Sequence, residues 1–149
     1  MPFNKLTNQD IDALRAICGE ARTHVGEAIH SDFTHDEMTE YGCFAPEILL
    51  EALSTDEVAK IMAYATERNL PVTPRGSGTG LCGGAVPIHG GILLSLAKMD
   101  KIIEFDEENL TVTLEPGVLL MDLAQAAIDR DMMYPLTPVR NPPPSAAMS

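Results

Sequence analysis

The chain has 149 residues, 45% apolar and 21% charged, which fits one folded domain and excludes a wholly disordered polypeptide. Its 22 acidic and 10 basic side chains give a formal charge of -12, which repels phosphate backbones and anionic lipid and excludes nucleic acid as an expected partner. The longest apolar runs, such as Ile92-Leu93-Leu94 and Val118 to Met121, are far too short for membrane insertion.

The opening Met1-Pro2-Phe3-Asn4-Lys5 carries no apolar signal region, and Cys18, Cys43 and Cys82 form no C-x-x-C pair, so the expectation is a cytoplasmic protein with reduced thiols. A first helix is predicted from Asn8 to Cys18, with Thr7 as N-cap, Asp10 near the positive end of the dipole, and Ile11, Leu14 and Ile17 along one face. The segment from Ile48 to Leu53 reads as a strand. Ser54-Thr55-Asp56-Glu57 then reads as a capping box, followed by Val58, Ile61, Met62 and Ala65 at helical spacing. A second strand, Pro71 to Arg75, completes a β-α-β unit, for which a parallel, right-handed crossover is expected.

Further along, Ile92 to Ala97 reads as a strand. Lys101 to Phe105 and Leu110 to Glu115 read as a hairpin around the turn Asp106-Glu107-Glu108-Asn109. The charges at Glu104, Asp106, Glu107 and Glu108 are those of a solvated hairpin tip. A third helix is predicted from about Leu119 to Arg130, with Leu120, Leu123, Ala124, Ala127 and Ile128 as its apolar stripe. Five prolines fall in the ten residues from Pro135 to Pro144, so residues 135–149 form an irregular tail after a domain at 1–134. The fold class is α+β: a mixed sheet containing a β-α-β unit, with helices packed on it.

The chemistry sits between the strands. Arg75-Gly76-Ser77-Gly78-Thr79-Gly80-Leu81-Cys82-Gly83-Gly84 holds five glycines within nine residues, directly after a predicted strand. Glycine allows positive φ and lets a ligand approach the main chain, and successive N–H groups can converge on a phosphate. The hydroxyls of Ser77 and Thr79 add donors. Gly78 to Gly83 spells G-x-G-x-x-G, but Pro87, Gly90 and Gly91 follow it and the chain re-enters a strand, so no helix starts within the motif as a dinucleotide fingerprint requires. No G-K-[ST] follows either, which excludes a P-loop. A pyrophosphate bound here is held by backbone amides without a helix. Arg75 either pairs with a phosphate or lies on the surface.

Several linked motifs in order, namely Arg75 to Gly80, Gly83-Gly84, Asp100-Lys101-Ile102 and Glu115-Pro116-Gly117-Val118, resemble the FAD-binding domain of the vanillyl-alcohol-oxidase type. Within it, the chain is most similar to the branch of the glycolate oxidase D subunit and D-lactate dehydrogenase, from about Val25 to Tyr134, including Gly26 to His30, Tyr41 and Pro46-Glu47-Ile48. The resemblance implies FAD as cofactor, with Arg75, Gly76, Ser77, Gly78, Thr79 and Gly80 wrapping its pyrophosphate. It implies that Gly83 and Gly84 shape the loop's return, that Pro71 and Val72 set the strand before it, and that Glu115, Pro116 and Gly117 lie at the edge of the dinucleotide pocket.

Two departures from the family pattern carry an expectation. After Tyr134-Pro135 the turn from Leu136 to Asn141 lacks the family's Asp, and the sequence reaches Ser149 where a Gly-Gly-Asn stretch is expected. The expectation is therefore the pyrophosphate half of a flavin site, with no catalytic residue, in a flavin-dependent 2-hydroxy-acid oxidoreductase that is inactive as this chain alone. The alternative is a non-catalytic nucleotide-binding or interaction module, with self-association or a partner subunit as further expectations. His30, Asp32, His35, Asp36 and Glu37 match no metal-ligand spacing and read as a solvated acidic loop. Cys82 reads as a packing or incidental residue, and Ser77 and Thr79 have no neighbouring His that would make either a nucleophile.

Overall fold

The computed structural model describes residues 3–38, 40 and 42–135. The tail expected at 135–149 lies, Pro135 apart, outside the described residues, as does Tyr41.

Helix α1 spans Asn8–Cys18 and begins on a reciprocal cap: Thr7 Oγ1 accepts the Asp10 N–H, and the Asp10 carboxylate accepts the Thr7 N–H at 2.8 Å. Asp10 is fully buried, and it also takes hydrogen bonds from Arg68 Nε at 2.8 Å and the Tyr64 hydroxyl at 2.7 Å. Arg68 first, and Thr7 next, hold its carboxyl far below the ordinary carboxylate range against the opposing effect of burial. One aspartate thus caps α1 and ties it to the last turn of helix α2, Thr55–Arg68.

The expected capping box at α2 forms only in half. Ser54 Oγ accepts the Glu57 N–H, but the Glu57 carboxylate bypasses Ser54 and accepts from the Leu53 N–H at 2.9 Å. The reason lies outside the local sequence: Arg22 grips both Glu57 oxygens at 2.7 and 2.8 Å and lowers the carboxyl's pKa. At its other end α2 closes on Asn69 in the left-handed region, φ 51°.

The main sheet contains β1 (Thr23–Val25), β2 (Ile48–Glu51), β3 (Val72–Arg75) and β4 (Ile92–Ser95) in the spatial order β1-β2-β4-β3. The expected strands β2 and β3 run parallel, as the capped crossover helix requires, but they are not neighbours: β4 lies between them, parallel to both. Two sequence features account for this. Ile92-Leu93-Leu94 is buried on both faces, which suits a central strand. Pro74 lacks an N–H, which suits an edge strand. Carbonyls of Pro71 and Arg75 accept from Ile92 and Leu96, so odd-numbered residues of β3 face β4 and Pro74 falls on the free side. Strand β1, antiparallel to β2, is not predicted from the sequence.

Ile48, Leu50, Ile92 and Leu94 line one face of the sheet and form the core with Leu14, Cys18, Ile61 and Ala65 from α1 and α2. Burial raises the pKa of the Cys18 thiol. Beyond β4 come the hairpin β5 (Ile102–Asp106) and β6 (Thr111–Leu114), antiparallel with an irregularity between Ile102 and Glu104, and then α3 (Leu120–Ile128). The guanidinium of Arg130 sits 4.2 Å from the Phe105 ring centroid, joining the end of α3 to the hairpin. Among the described residues no helix is long and apolar enough to cross a membrane.

Gly117 joins the hairpin unit to the sheet. Its N–H donates to Met99 O at 2.7 Å, and a Cβ there would lie 2.4 to 2.8 Å from the carbonyl oxygens of Leu96, Met99 and Ala97. Gly117→Ala is therefore expected to lower stability in urea unfolding by about 1–3 kcal/mol, whereas Gly84→Ala, with open space around its position, is expected to stay near parental stability. The Asp10 network gives a second expectation. A carboxyl held low in the folded state contributes stability that is present above the ordinary value of about 4 and is lost as pH falls through its folded value. Asp10→Asn should cost about 2 kcal/mol at pH 7, discounted for the solvent-facing Arg68, and the difference from the parent should shrink steadily below about pH 4 in acid unfolding.

Candidate functional site

Strands β3 and β4 are parallel neighbours, so the chain must travel back along the sheet between Arg75 and Ile92. Such a crossover is usually a helix. Here residues 76–91 make it as a glycine-rich loop that leaves the carboxyl end of β3, the end of an open sheet where ligands commonly bind. Gly78 and Gly83 have φ of 73° and 71°, conformations that side-chain-bearing residues rarely adopt. Gly76, Ser77, Thr79, Gly80 and Cys82 are exposed, so Cys82 is not packed. Among the described residues, no backbone N–H from Gly76 to Ala85 donates to a protein acceptor. An exposed run of unpaired amides with two left-handed glycines is the chemistry of an anion cradle, and its residues fit a pyrophosphate.

The floor of the loop is Arg75. The residue is 7% exposed, and its guanidinium donates to His35 O at 2.7 Å, Asp32 O at 2.8 Å and, more weakly, Ala85 O at 3.5 Å. The ring of Phe33 lies 5.6 Å from it. The surface alternative for Arg75 is thereby overturned: the side chain is turned inward and staples the 32–35 segment to the start of the loop and, more weakly, to Ala85. Burial pulls its pKa below the ordinary value, opposed by Asp36 and Asp32, and a guanidinium keeps its charge regardless. Gly78 rests directly on this group, since a Cβ there would meet the guanidinium.

The segment expected to be a solvated acidic loop is solvated only in part. Residues Ser31–Thr34 form a 3-10 turn with Asp32 exposed, but Asp36 is 3% exposed, drawn inward beside Arg75. Asp36 Oδ1 accepts the Met38 N–H at 2.9 Å, and Oδ2 is covered and has no donor among the described residues. Sequence reasoning missed Asp32, Phe33, His35 and Asp36 as parts of the site, because three of them act through backbone or ring and only the partner, Arg75, reveals them.

The other expected site residues are placed as follows. Pro71 is buried against Gly91, whose φ is 66° and where a Cβ would lie 2.4 Å from the proline ring, and Val72 opens β3. Gly83 O accepts the Val86 N–H at 3.2 Å as the loop returns, and Gly84 stands in open space. Glu115, Pro116 and Gly117 join the site through the sheet end: Leu96 donates to Arg75 O, and Gly117 packs on Leu96 O. The Glu115 carboxylate is engaged by the Lys101 N–H at 2.9 Å, and among the described residues no hydrogen bond joins residues 115–117 to 76–84. A groove of about 560 Å³ lies elsewhere, between the hairpin and α3, lined by Phe105, Val112, Leu123, Ala127, Met132 and Tyr134.

Fold and loop define an α+β domain whose glycine-rich crossover offers unpaired amides to an anion. A family model for the FAD binding domain matches residues 46–145, and the chain belongs to that family, with FAD as its cofactor. It is 48% identical over 136 residues to a D-lactate dehydrogenase of Anaerostipes hadrus, across 91% of this chain and 28% of that relative. It is 39% identical over 106 residues to glycolate oxidase subunit GlcD of Bacillus subtilis (strain 168), across 71% of this chain and 22% of the relative. Among solved structures, p-cresol methylhydroxylase with substrate bound aligns with a TM-score of 0.72 at 25% identity, across 84% of this chain and 25% of that one. Alkyldihydroxyacetonephosphate synthase aligns with a TM-score of 0.73 at 16% identity, across 87% and 28%, and shares the fold. The chain spans about a quarter of the length of the relatives it matches.

Arg75→Gln keeps a planar donor but loses the forked grip on two carbonyls. It is expected to cost about 2 kcal/mol in thermal or urea unfolding and to speed amide hydrogen exchange from Asp32 to Met38 more than in α1 or α2.

Proposed function

We propose that this chain is the FAD-binding portion of a flavin-dependent 2-hydroxy-acid oxidoreductase of the D-lactate dehydrogenase or glycolate oxidase kind. Residues 76–80 hold the FAD pyrophosphate through backbone amides, with the Arg75 side chain beneath them as their support. The single observation that carries this is the run of unpaired N–H groups from Gly76 to Ala85 on the crossover loop. The hydroxyls of Ser77 and Thr79 add donors at its rim. Gly83 and Gly84 turn the loop back, Pro71 and Val72 fix the strand that launches it, and Glu115, Pro116 and Gly117 hold the neighbouring sheet end in place. Bound flavin supplies a two-electron acceptor for hydride leaving the α-carbon of a 2-hydroxy acid.

This chain by itself neither turns over substrate nor retains FAD tightly. Catalysis needs a base and a ring-side pocket, and we assign these to the roughly three quarters of the relatives' length outside the match. Each amide-to-phosphate bond competes with water and nets about 1 kcal/mol, and an acidic chain gives an anionic cofactor no long-range attraction. Leu81 and Ile88 on the loop, and Leu119, Met121 and Ile128 near α3, are exposed apolar side chains that self-association or a partner subunit would cover. A cytoplasmic location belongs to the same proposal.

The test is to mix the purified chain with excess FAD, desalt it, and read flavin absorbance. The expected outcome is little retained flavin and no bleaching with D-lactate or glycolate. A stoichiometric yellow complex reduced by either acid would overturn the inactivity. Weak binding followed by flavin fluorescence should disappear in Gly78→Val, whose side chain would collide with Arg75, while its circular dichroism stays folded. Unchanged FAD affinity in that variant would count against the loop as the cradle.

A further inference from the structure

Asp36 presents a covered carboxylate oxygen with no donor, an arrangement that folded proteins rarely tolerate. Its surroundings identify the missing partner. Arg75 is the cation beside it, but its hydrogen bonds run to the carbonyls of Asp32, His35 and Ala85 and none of them to Asp36. Met38 serves the other oxygen. On the remaining side stands Gly80, where a Cβ would lie 4.0 Å from Oδ2. Gly80 belongs to the stretch from Gly76 to Ala85, whose N–H groups donate to no protein acceptor among the described residues. An acceptor without a donor therefore adjoins a row of donors without acceptors. The oxygen is covered, so a ligand in solution does not reach it directly. The donor that can arrive is a loop amide.

We propose that Asp36 is a positioning residue for the glycine-rich loop: its Oδ2 accepts a backbone N–H from the segment around Gly80 when a pyrophosphate draws the loop inward. This rests on the pyrophosphate reading given above. Anchoring one N–H on Asp36 fixes that peptide plane and narrows the conformations open to the amides on either side of it. The buried Arg75 charge beside Asp36 offsets the carboxylate, which would otherwise repel the phosphate. No atom of Asp36 touches the ligand.

The experiment uses the full chain with ADP as the diphosphate probe and FAD as a second ligand, followed by NMR and by titration. In the parent, ADP is expected to shift one amide proton between Gly78 and Cys82 downfield, with a coupling across the hydrogen bond to the Asp36 carboxylate carbon. Asp36→Asn keeps the shape and can still serve Met38 N–H, but it turns the second position into a donor. It should lose that signal and bind ADP about tenfold more weakly, with an unfolding midpoint no lower than the parent's. Parental ADP affinity in Asp36→Asn would overturn the role of Asp36 and leave the pyrophosphate reading standing. Failure of the parent to bind either ADP or FAD would overturn both. Should Asp36→Asn not fold, the parent decides: the coupling to Asp36 in the ADP complex supports the proposal, and its absence overturns it.

Discussion

The site hangs on one buried cation. Arg75 ends an edge strand, and its guanidinium is surrounded by main-chain oxygens of a segment some forty residues earlier in the chain. A planar fork suits this task, because two carbonyls can be gripped by adjacent nitrogens while the flat face meets an aromatic ring. A lysine would bring a single charged point with a larger hydration debt. The same grip explains why the crossover above must be nearly free of side chains at Gly78, since the space a Cβ would take is filled by the guanidinium. Positive charge is thus directed at the protein's own backbone, and the N–H groups of the loop from Gly76 to Ala85 have no protein acceptor among the described residues.

The rest of the molecule supplies a rigid mount. Helix α2 is held at both ends by arginine–carboxylate pairs, Glu57 with Arg22 at the start and Arg68 with Asp10 at the finish. Both pairs follow the helix dipole, acid near the amino end and base near the carboxyl end. Glu51, at the end of β2, takes Lys98 at 3.0 Å and His24 at 3.3 Å. Burial pushes its pKa up, but those two partners outweigh it and leave the carboxyl below its ordinary value. The Glu57 and Glu51 contacts lie at the carboxyl end of β2, while Asp10 and Arg68 tie the far end of α2 just ahead of β3, so the platform from which the loop departs is held at both ends.

Much of this was legible in the sequence where the signal was local. Thr7 and Asp10 announce α1, and the observed span agrees with the expected one, because a cap needs only its own neighbours. The parallel relation of β2 and β3 followed from the helix between them. The insertion of β4 was not read, although Pro74 and the apolar run Ile92-Leu93-Leu94 together encode it. The short β1 carries too few residues for alternation to show. Glu57 shows how a tertiary partner diverts a local motif: its reach toward Arg22 takes it past the N-cap. Asp36 was invisible for a similar reason, since His30 to Glu37 has the composition of a wetted loop and is drawn inward only by a guanidinium distant in sequence.

The open flanks of the sheet have a consequence for how this domain behaves in a crowded solution. A row of unsatisfied main-chain groups along an outer strand invites another polypeptide to zip onto it. One flank is β1, only three residues long, which offers too little length to template anything. The other is β3, where the ring of Pro74 stands on the unpaired side and interrupts the donor row at its middle. The residue that fixes where β3 sits therefore also keeps the sheet from growing sideways, which protects a small, acidic domain with exposed apolar side chains from fibrillar stacking.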